Sequence, residues 1–355
     1  MTRHLRPLAQ FLLVLASIAL LAFVLRSADL PRAVDLVRSF GRGLPLLLLP
    51  QAAAVLLDGS GWWLALASLP LPPRFLPLVA VRVACDALLL GLPYGAVVSE
   101  SLQPYLLKRR CGLPLESAIV ATVARKLLVV FSHGTFLALA TLLAWPLVDH
   151  ASRVAIGRGG LSWLLLAAAL VLVVSALASA AAAVHGRLAD RLRHALDLVG
   201  GRWLGAWLRT NAIRFRQADE ALSSFLRQQR GRLGLSVLLY LAGWLARAVE
   251  TYVFLAALGA PIPLAAAMVV ETALILVRAL AMPVPGGLGV QDLGYVLALR
   301  TLGVADVTTV ATAFVLLKRG KDLFWVLLGL ALLSVGRRRR EAQPAALAEA
   351  LPAAS

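Results

Sequence analysis

Long apolar runs separated by short polar segments dominate this chain. Each run is near or above the roughly 20 residues that an α-helix needs to cross a bilayer. The runs predict spanning helices at 8–25, 43–69, 75–92, 117–148, 161–184, 233–258, 264–283 and 307–335. The pattern therefore predicts an all-α fold, a polytopic membrane helical bundle of about eight transmembrane helices.

Two segments, 93–106 and 285–302, interrupt this pattern with helix-breaking residues. The first begins at the sequence Leu-Pro-Tyr-Gly (92–95) and the second at Val-Pro-Gly-Gly (284–287). In each, an acid, Glu100 or Asp292, lies seven residues past the proline. Non-helical backbone at membrane depth persists only where it is buried in protein or lines a wet cavity. We therefore expect two broken or re-entrant segments at a functional site. The alternative is that the breaks only kink ordinary spanning helices.

The two broken segments also indicate an internal repeat. A shift of 192 positions places Pro93 on Pro285, Gly95 on Gly287, Glu100 on Asp292, Lys126 on Lys318 and Asp86 on Arg278. A gap of one residue then matches Gly112 with Gly303. Because these matches occur in one order along the chain, they favour duplication of a membrane unit.

Loop charge predicts that the two repeats have opposite orientations. If each broken segment pairs with the helix before it, the loops on one side carry 20 Lys and Arg residues and those on the other carry 6. Cytoplasmic loops carry the excess, so both termini are expected in the cytoplasm and the protein in the inner (cytoplasmic) membrane. Loop 107–116 then lies inside and loop 303–306 outside. Inverted repeats around a midplane site are typical of transporters.

Composition narrows the class of protein. Sixty per cent hydrophobic residues, a mean hydropathy of +0.84 and only 15% charged residues exclude a soluble globular domain. The net charge of +17 lies mainly in loops, so we expect it to orient the protein and not to bind nucleic acid. Cys85 and Cys111 show no disulfide or metal spacing. No Walker, Rossmann or hydrolytic motif occurs, so we expect no catalytic residue, metal or cofactor, and not an enzyme.

Four regions follow from these patterns. Residues 1–184 form an N-terminal membrane half with the first repeat, and 185–232 form an amphipathic basic cytoplasmic connector with ten arginines. Residues 233–336 form the C-terminal membrane half with the second repeat. Residues 337–355 form a basic and then disordered cytoplasmic tail. Arg26 spoils the cleavage pattern of a signal peptide, so the first apolar run is expected to stay as a spanning helix.

Thirteen charged residues fall within the apolar runs, where each costs about 2.5–3.5 kcal/mol near the bilayer centre. They are Asp58, Arg82, Asp86, Arg125, Lys126, Arg247, Glu250, Glu271, Arg278, Lys318, Arg319, Lys321 and Asp322. Helical spacing predicts local ion pairs between Arg82 and Asp86 and between Arg247 and Glu250. Two interpretations stay open: such pairs neutralise charges at a functional site, or they are structural salt bridges that stabilise the helical bundle.

The cluster from Lys318 to Asp322 holds three cations against one acid. We expect an uncompensated positive cluster in a wet cavity, suited to an anionic headgroup; the alternative is a loop beyond a shorter helix. The glycines between Gly286 and Gly289 predict converging backbone N–H groups that bind an anion, with Asp292 capping the following half-helix.

Residues 282–292 read Met-Pro-Val-Pro-Gly-Gly-Leu-Gly-Val-Gln-Asp, followed by Leu-Gly-Val at 302–304 and by the basic cluster at Lys318. This sequence resembles the lysylphosphatidylglycerol synthase transmembrane-domain family, which are flippase-like integral membrane proteins. The first broken segment resembles a degenerate first copy of the family repeat. The family usually has Glu where Asp292 stands. The resemblance implies movement of a lipid between leaflets, and we expect no soluble aminoacyltransferase domain.

We therefore expect a lipid flippase that moves a phospholipid or related polar lipid, with an anionic or zwitterionic headgroup. The expected substrate-binding residues are Pro285, Gly286, Gly287, Gly289, Asp292, Arg278, Lys318, Arg319 and Lys321. The expected gate or second repeat site comprises Arg82, Asp86, Pro93, Gly95, Glu100, Arg125 and Lys126. One alternative is a non-transporting scaffold that holds a lipid-biosynthesis enzyme through 185–232. Another is a membrane-embedded transferase that uses Glu271 or Glu250 as its acid.

Overall fold

A computed structural model describes residues 29–185 except 68 and 70, residues 230–349 except 282, and residues 15, 19 and 223. Nearly all of the predicted first spanning helix and of the connector therefore lie outside the described residues. The described residues form eleven α-helices and no strand, which confirms the all-α membrane bundle.

The helices follow the predicted apolar runs closely. They are α1 Leu30–Arg38, α2 Leu49–Leu66, α3 Phe75–Gly91, α4 Gly95–Cys111, α5 Leu115–Leu143, α6 Trp145–Ile156, α7 Leu161–Val184, α8 Arg230–Ala257, α9 Leu264–Leu280, α10 Val290–Thr301 and α11 Val307–Glu349. Short 3-10 segments, Gly41–Leu48 and Pro285–Gly287, precede α2 and α10.

Three boundaries differ from the predictions. Helix α1 occupies a predicted loop, because Asp29 caps its N-terminus by accepting a hydrogen bond from the Arg32 N–H. The predicted run 117–148 is divided after Leu143, since Pro146 suits the first turn of a new helix but not a helix interior. Helix α11 continues to Glu349, beyond the predicted end of the last apolar run at 335.

Four of the described helices are long and apolar enough to cross a membrane. These segments are Gly43–Leu66, Leu115–Leu143, Leu161–Val184 and Gly231–Ala257. Helices α3 and α9 have only 17 residues each and carry charges that face the interior. Only 17% of the most apolar window of α7 is buried, so this helix presents a broad hydrocarbon-compatible surface.

The predicted repeat is visible in the order and packing of the helices. Helices α2–α5 correspond to α8–α11, and the first residues of α5 and α11, Leu115 and Val307, are 192 positions apart. Helix α2 packs against α8, while α3 packs against α11 and α5 against α9. The second helix of each repeat thus contacts the fourth helix of the other. The opposite orientation of the repeats stays a prediction.

Small residues bring α2 and α8 together at the centre of the bundle. A Cβ on Gly61 would lie 3.1 Å from the Ser236 carbonyl oxygen, and a Cβ on Gly243 would overlap the Asp58 carboxylate. Close backbone approach through small residues is the usual mode of helix packing in membranes. Apolar cores around Trp62 and around Phe314 flank this contact.

Candidate functional site

The two predicted breaks share one backbone conformation. Tyr94 has φ 52° and ψ 28°, and Gly286, at the matched position, has φ 55° and ψ 14°. A non-glycine residue in this left-handed region is uncommon and costs about 1–2 kcal/mol. Gly112 and Gly303, matched through the one-residue gap, both have φ 72° and follow α4 and α10. The breaks separate distinct helices, so the interpretation as kinks in continuous helices is wrong.

A cavity of about 380 Å³ lies between the repeats, at the two breaks. Gly95, Gly286 and Gly287 line it, as do eleven charged side chains. The charged side chains are Arg82, Arg125, Lys126, Arg247, Arg278, Lys321, Asp58, Asp86, Glu100, Glu271 and Asp322. The second break also packs against the end of α3, where a Cβ on Gly286 would lie 3.1 Å from the Leu90 carbonyl oxygen. The breaks and ten of the thirteen charged residues of the apolar runs therefore line one cavity.

Ten of the sixteen predicted site residues are among the cavity lining. These are Arg82, Asp86, Gly95, Glu100, Arg125, Lys126, Arg278, Gly286, Gly287 and Lys321. Pro93, Pro285, Gly289, Asp292, Lys318 and Arg319 lie outside the lining set. The prolines and Gly289 belong to the breaks, and Asp292, Lys318 and Arg319 form ion pairs next to the cavity.

Asp58 on α2 joins two arginines at the centre of the first charge network. Its carboxylate lies 3.4 Å from Arg82 and also pairs with Arg247 of α8. Arg82 pairs in addition with Asp86, as its spacing predicts. The predicted pair between Arg247 and Glu250 is wrong, because the close contact of α2 and α8 offers Arg247 a carboxylate on the neighbouring helix.

Lys318 on α11 is the centre of the second charge network. Its ammonium donates to Glu250 at 2.7 Å and to Glu271 at 3.0 Å, and its side chain is buried. Lys321 reaches Glu250 at 2.9 Å. Glu271 also accepts hydrogen bonds from Thr251 at 2.7 Å and from Tyr295 at 3.2 Å.

The expectation of an uncompensated positive cluster at 318–322 is therefore wrong, because acids from α8 and α9 neutralise it. The alternative that these residues form a loop is also wrong, since they lie inside α11. Sequence spacing could not show this, because the neutralising acids are far away in the chain.

Asp292 caps α10 as predicted and ties the second break to α11. Its Oδ2 accepts the Gly289 N–H at 2.8 Å, and its Oδ1 accepts from Arg319 Nε at 2.9 Å. Arg319 also donates to the Gly286 carbonyl oxygen at 3.2 Å. The matched acid of the first repeat, Glu100, pairs with Lys126 at 2.8 Å. The side chains of Glu100 and Lys126 are 34% and 53% exposed, against 1% and 18% for Asp292 and Arg319.

The glycine-rich backbone does not form the predicted anion nest. The N–H groups of Gly287 and Leu288 donate to the carbonyl oxygens of Val284 and Pro285 at 3.2 and 3.1 Å. The Gly289 N–H donates to the Asp292 carboxylate. These three donors are already used within the turn, so they are not free to bind an anion.

Gly287 instead makes room for Arg278. With φ 66°, it lies where a Cβ would be 2.9 Å from Cγ of Arg278. The stem of Arg278 therefore runs along the break before the guanidinium reaches the cavity. Within the described part of the chain, Arg278 has no hydrogen-bonded or ion-paired partner.

Replacing Gly287 with alanine is expected to lower the free energy of unfolding by about 1–3 kcal/mol, because it adds left-handed strain and displaces Arg278. The matched control is Gly320→Ala on α11, where a Cβ would meet no atom within 4 Å. Thermal unfolding in detergent, followed by tryptophan fluorescence, compares the two variants. Equal midpoints would contradict the close packing of Arg278 on Gly287.

Asp58, Arg247, Glu271 and Asp322 line the cavity although they are absent from the predicted site sets. A signal was available for Asp58, since the repeat shift of 192 places it on Glu250. Both residues are acids that join cations at the centre of their networks. Both cysteines are free thiols, and no group of metal-ligating side chains is found among the residues searched.

An all-helical membrane bundle with a charged cavity between two repeats defines an integral membrane protein with a polar cavity between its helices. The model of the family described as "Lysylphosphatidylglycerol synthase TM region" matches residues 9–344, so the chain belongs to that family. No curated protein and no solved structure matches the chain.

Proposed function

We propose that this protein moves a phospholipid or related polar lipid between the leaflets of the cytoplasmic membrane. The observation that carries the proposal is the cavity of about 380 Å³, lined by charged side chains and by both helix breaks. Charged side chains at membrane depth are costly, and they are typical of substrate pathways. Membership of a family named for a lipid synthase supports a lipid as the substrate.

The same proposal places both termini and the connector 185–232 in the cytoplasm. Its support is the excess of Lys and Arg in the loops assigned to that side. The scaffold alternative depends on this connector, which lies almost wholly outside the described residues. We favour a non-enzymatic role, because Lys318 engages both Glu250 and Glu271, the acids that a transferase would need.

The acids at matched positions of the two repeats form ion pairs that differ in exposure. Glu100 and Lys126 form a pair that is partly exposed, while Asp292 and Arg319 form a more buried one. Because Glu100 and Asp292 lie at matched positions of the half-helices α4 and α10, we propose that their pairs close opposite sides of the cavity. The more exposed pair then marks the side from which the cavity is reached in the described conformation.

Liposomes with labelled phospholipid test the proposed transport. Purified protein is expected to expose inner-leaflet label to a membrane-impermeant quencher, whereas protein-free liposomes stay half protected. Ala96→Trp is expected to slow this exchange strongly, because Ala96 lines the cavity. The matched control, Ala167→Trp, adds the same indole at an exposed position on α7 and should not slow it. If no labelled lipid moves, or if both variants behave alike, the transport proposal fails.

A further inference from the structure

We infer that the cavity selects a lipid headgroup whose only charge is a phosphate, and disfavours one that adds an ammonium group. The inference rests on the proposed function for the lipid nature of the ligand. It concerns the charge of the ligand, which follows from how the charged side chains of the cavity are already paired.

Each acidic side chain of the cavity lining already forms an ion pair with a cation of the protein. Asp58 pairs with Arg82 and Arg247, and Asp86 pairs with Arg82. The remaining three acids are paired as well: Glu100 with Lys126, Glu271 with Lys318, and Asp322 with Arg319 and Lys321. An ammonium group on a ligand would have to displace a cation that already belongs to the protein.

Two arginines of the lining have free capacity for an anion. Within the described residues, neither Arg278 nor Arg125 pairs with a carboxylate. Arg125 donates to the Gln103 side-chain oxygen at 3.1 Å and lies 5.2 Å from the Trp62 ring centroid. Its Nε is buried without a hydrogen-bond partner. A guanidinium offers a planar pair of donors that fits phosphate oxygens.

These two arginines belong to helices that meet at the cavity. Arg125 lies on α5 and Arg278 on α9, which pack against each other across the two repeats. The wall also includes apolar side chains, among them Leu90, Ile275 and Leu276. Phosphate oxygens next to the arginines and hydrocarbon next to the aliphatic wall match the two ends of a phospholipid. A free phosphate ion would use only the arginines.

Binding measurements on the purified full chain separate these ligands. Short-chain phosphatidylglycerol, phosphatidylethanolamine, lysylphosphatidylglycerol and inorganic phosphate are each titrated, with tryptophan fluorescence as the readout. We expect phosphatidylglycerol to bind at least about tenfold more tightly than either ammonium-bearing lipid, since an ammonium group without an acidic partner in the cavity costs about as much as one charged hydrogen bond. Inorganic phosphate at the same concentration should compete weakly.

Arg278→Gln is expected to remove most of this preference, and Arg278→Lys to keep part of it by retaining the charge. The matched control is Arg300→Gln, at an exposed position on α10, which should bind like the unaltered protein. Circular dichroism and size-exclusion elution establish that each variant is folded.

Equal or tighter binding of an ammonium-bearing lipid overturns the inference, as does an Arg278→Gln variant with unchanged preference. Competition by inorganic phosphate as strong as that by phosphatidylglycerol overturns the choice of a lipid. Selective binding of phosphatidylglycerol without any leaflet exchange supports the headgroup inference while the transport proposal fails. Exchange of labelled lipids without any headgroup preference in binding supports the transport proposal and overturns the headgroup inference.

Discussion

Replacing Lys318 with methionine is expected to lower the free energy of unfolding by about 3–5 kcal/mol, because it leaves buried carboxylates without their cation. Lys318 is only 4% exposed. Its ammonium is hydrogen bonded to Glu250 and Glu271, and it also lies 5.6 Å from the Phe314 ring centroid. Among the described residues, Glu250 keeps its ion pair with Lys321, whereas Glu271 loses its ion pair and keeps the hydrogen bonds from Thr251 and Tyr295.

The repeat supplies a matched control for this variant. Lys126→Met changes the same residue type at the corresponding position of the first repeat, where the pair with Glu100 is half exposed. Its cost is expected to be below about 1 kcal/mol. Reversible unfolding in mixed detergent and SDS micelles measures both variants. Adding Glu271→Gln to Lys318→Met should recover part of the loss. Equal losses at Lys126 and Lys318 would contradict the buried bridge.

Helix positions could be read from the sequence because apolar length and helix breakers are local signals. The predicted run 75–92 becomes a helix at Phe75–Gly91, and the run 264–283 becomes one at Leu264–Leu280. The breaks were predictable for the same reason, since Pro285 and the glycines after it act on their own backbone. The repeat followed from comparing these local signals.

The pairing of charges could not be read in this way. Helical spacing favoured Arg247 with Glu250, yet the two residues belong to different networks. The partner of Arg247 is determined by the contact between α2 and α8, which Gly61 and Gly243 permit. Residue spacing within one helix does not reveal such a contact. The prediction succeeded for Arg82 and Asp86 because both partners lie on α3.

The role of the glycines in the second break could not be predicted from the sequence either. Its glycines suggested free N–H groups, but the turn uses these donors itself and Gly287 serves to admit Arg278. The predicted function of a glycine depends on what packs beside it, and that neighbour comes from the preceding helix α9. The residues of the break were therefore predictable, while their part in the cavity was not.

Replacing Asp58 with asparagine is expected to lower the free energy of unfolding by about 3–5 kcal/mol, because one buried acid holds two arginines. Asp58 is 4% exposed, and without its charge Arg247 loses its ion pair and, within the described residues, retains its contact with the Trp244 ring at 4.8 Å. Asp149→Asn is the matched control, since the Asp149 side chain is 26% exposed and its partner Arg153 is 69% exposed, so that their pair should be worth less than about 1 kcal/mol. Unfolding in mixed micelles measures both. Adding Arg247→Gln to Asp58→Asn should recover stability, because it removes the arginine that lost its partner; a further additive loss would show that Asp58 does not stabilise Arg247.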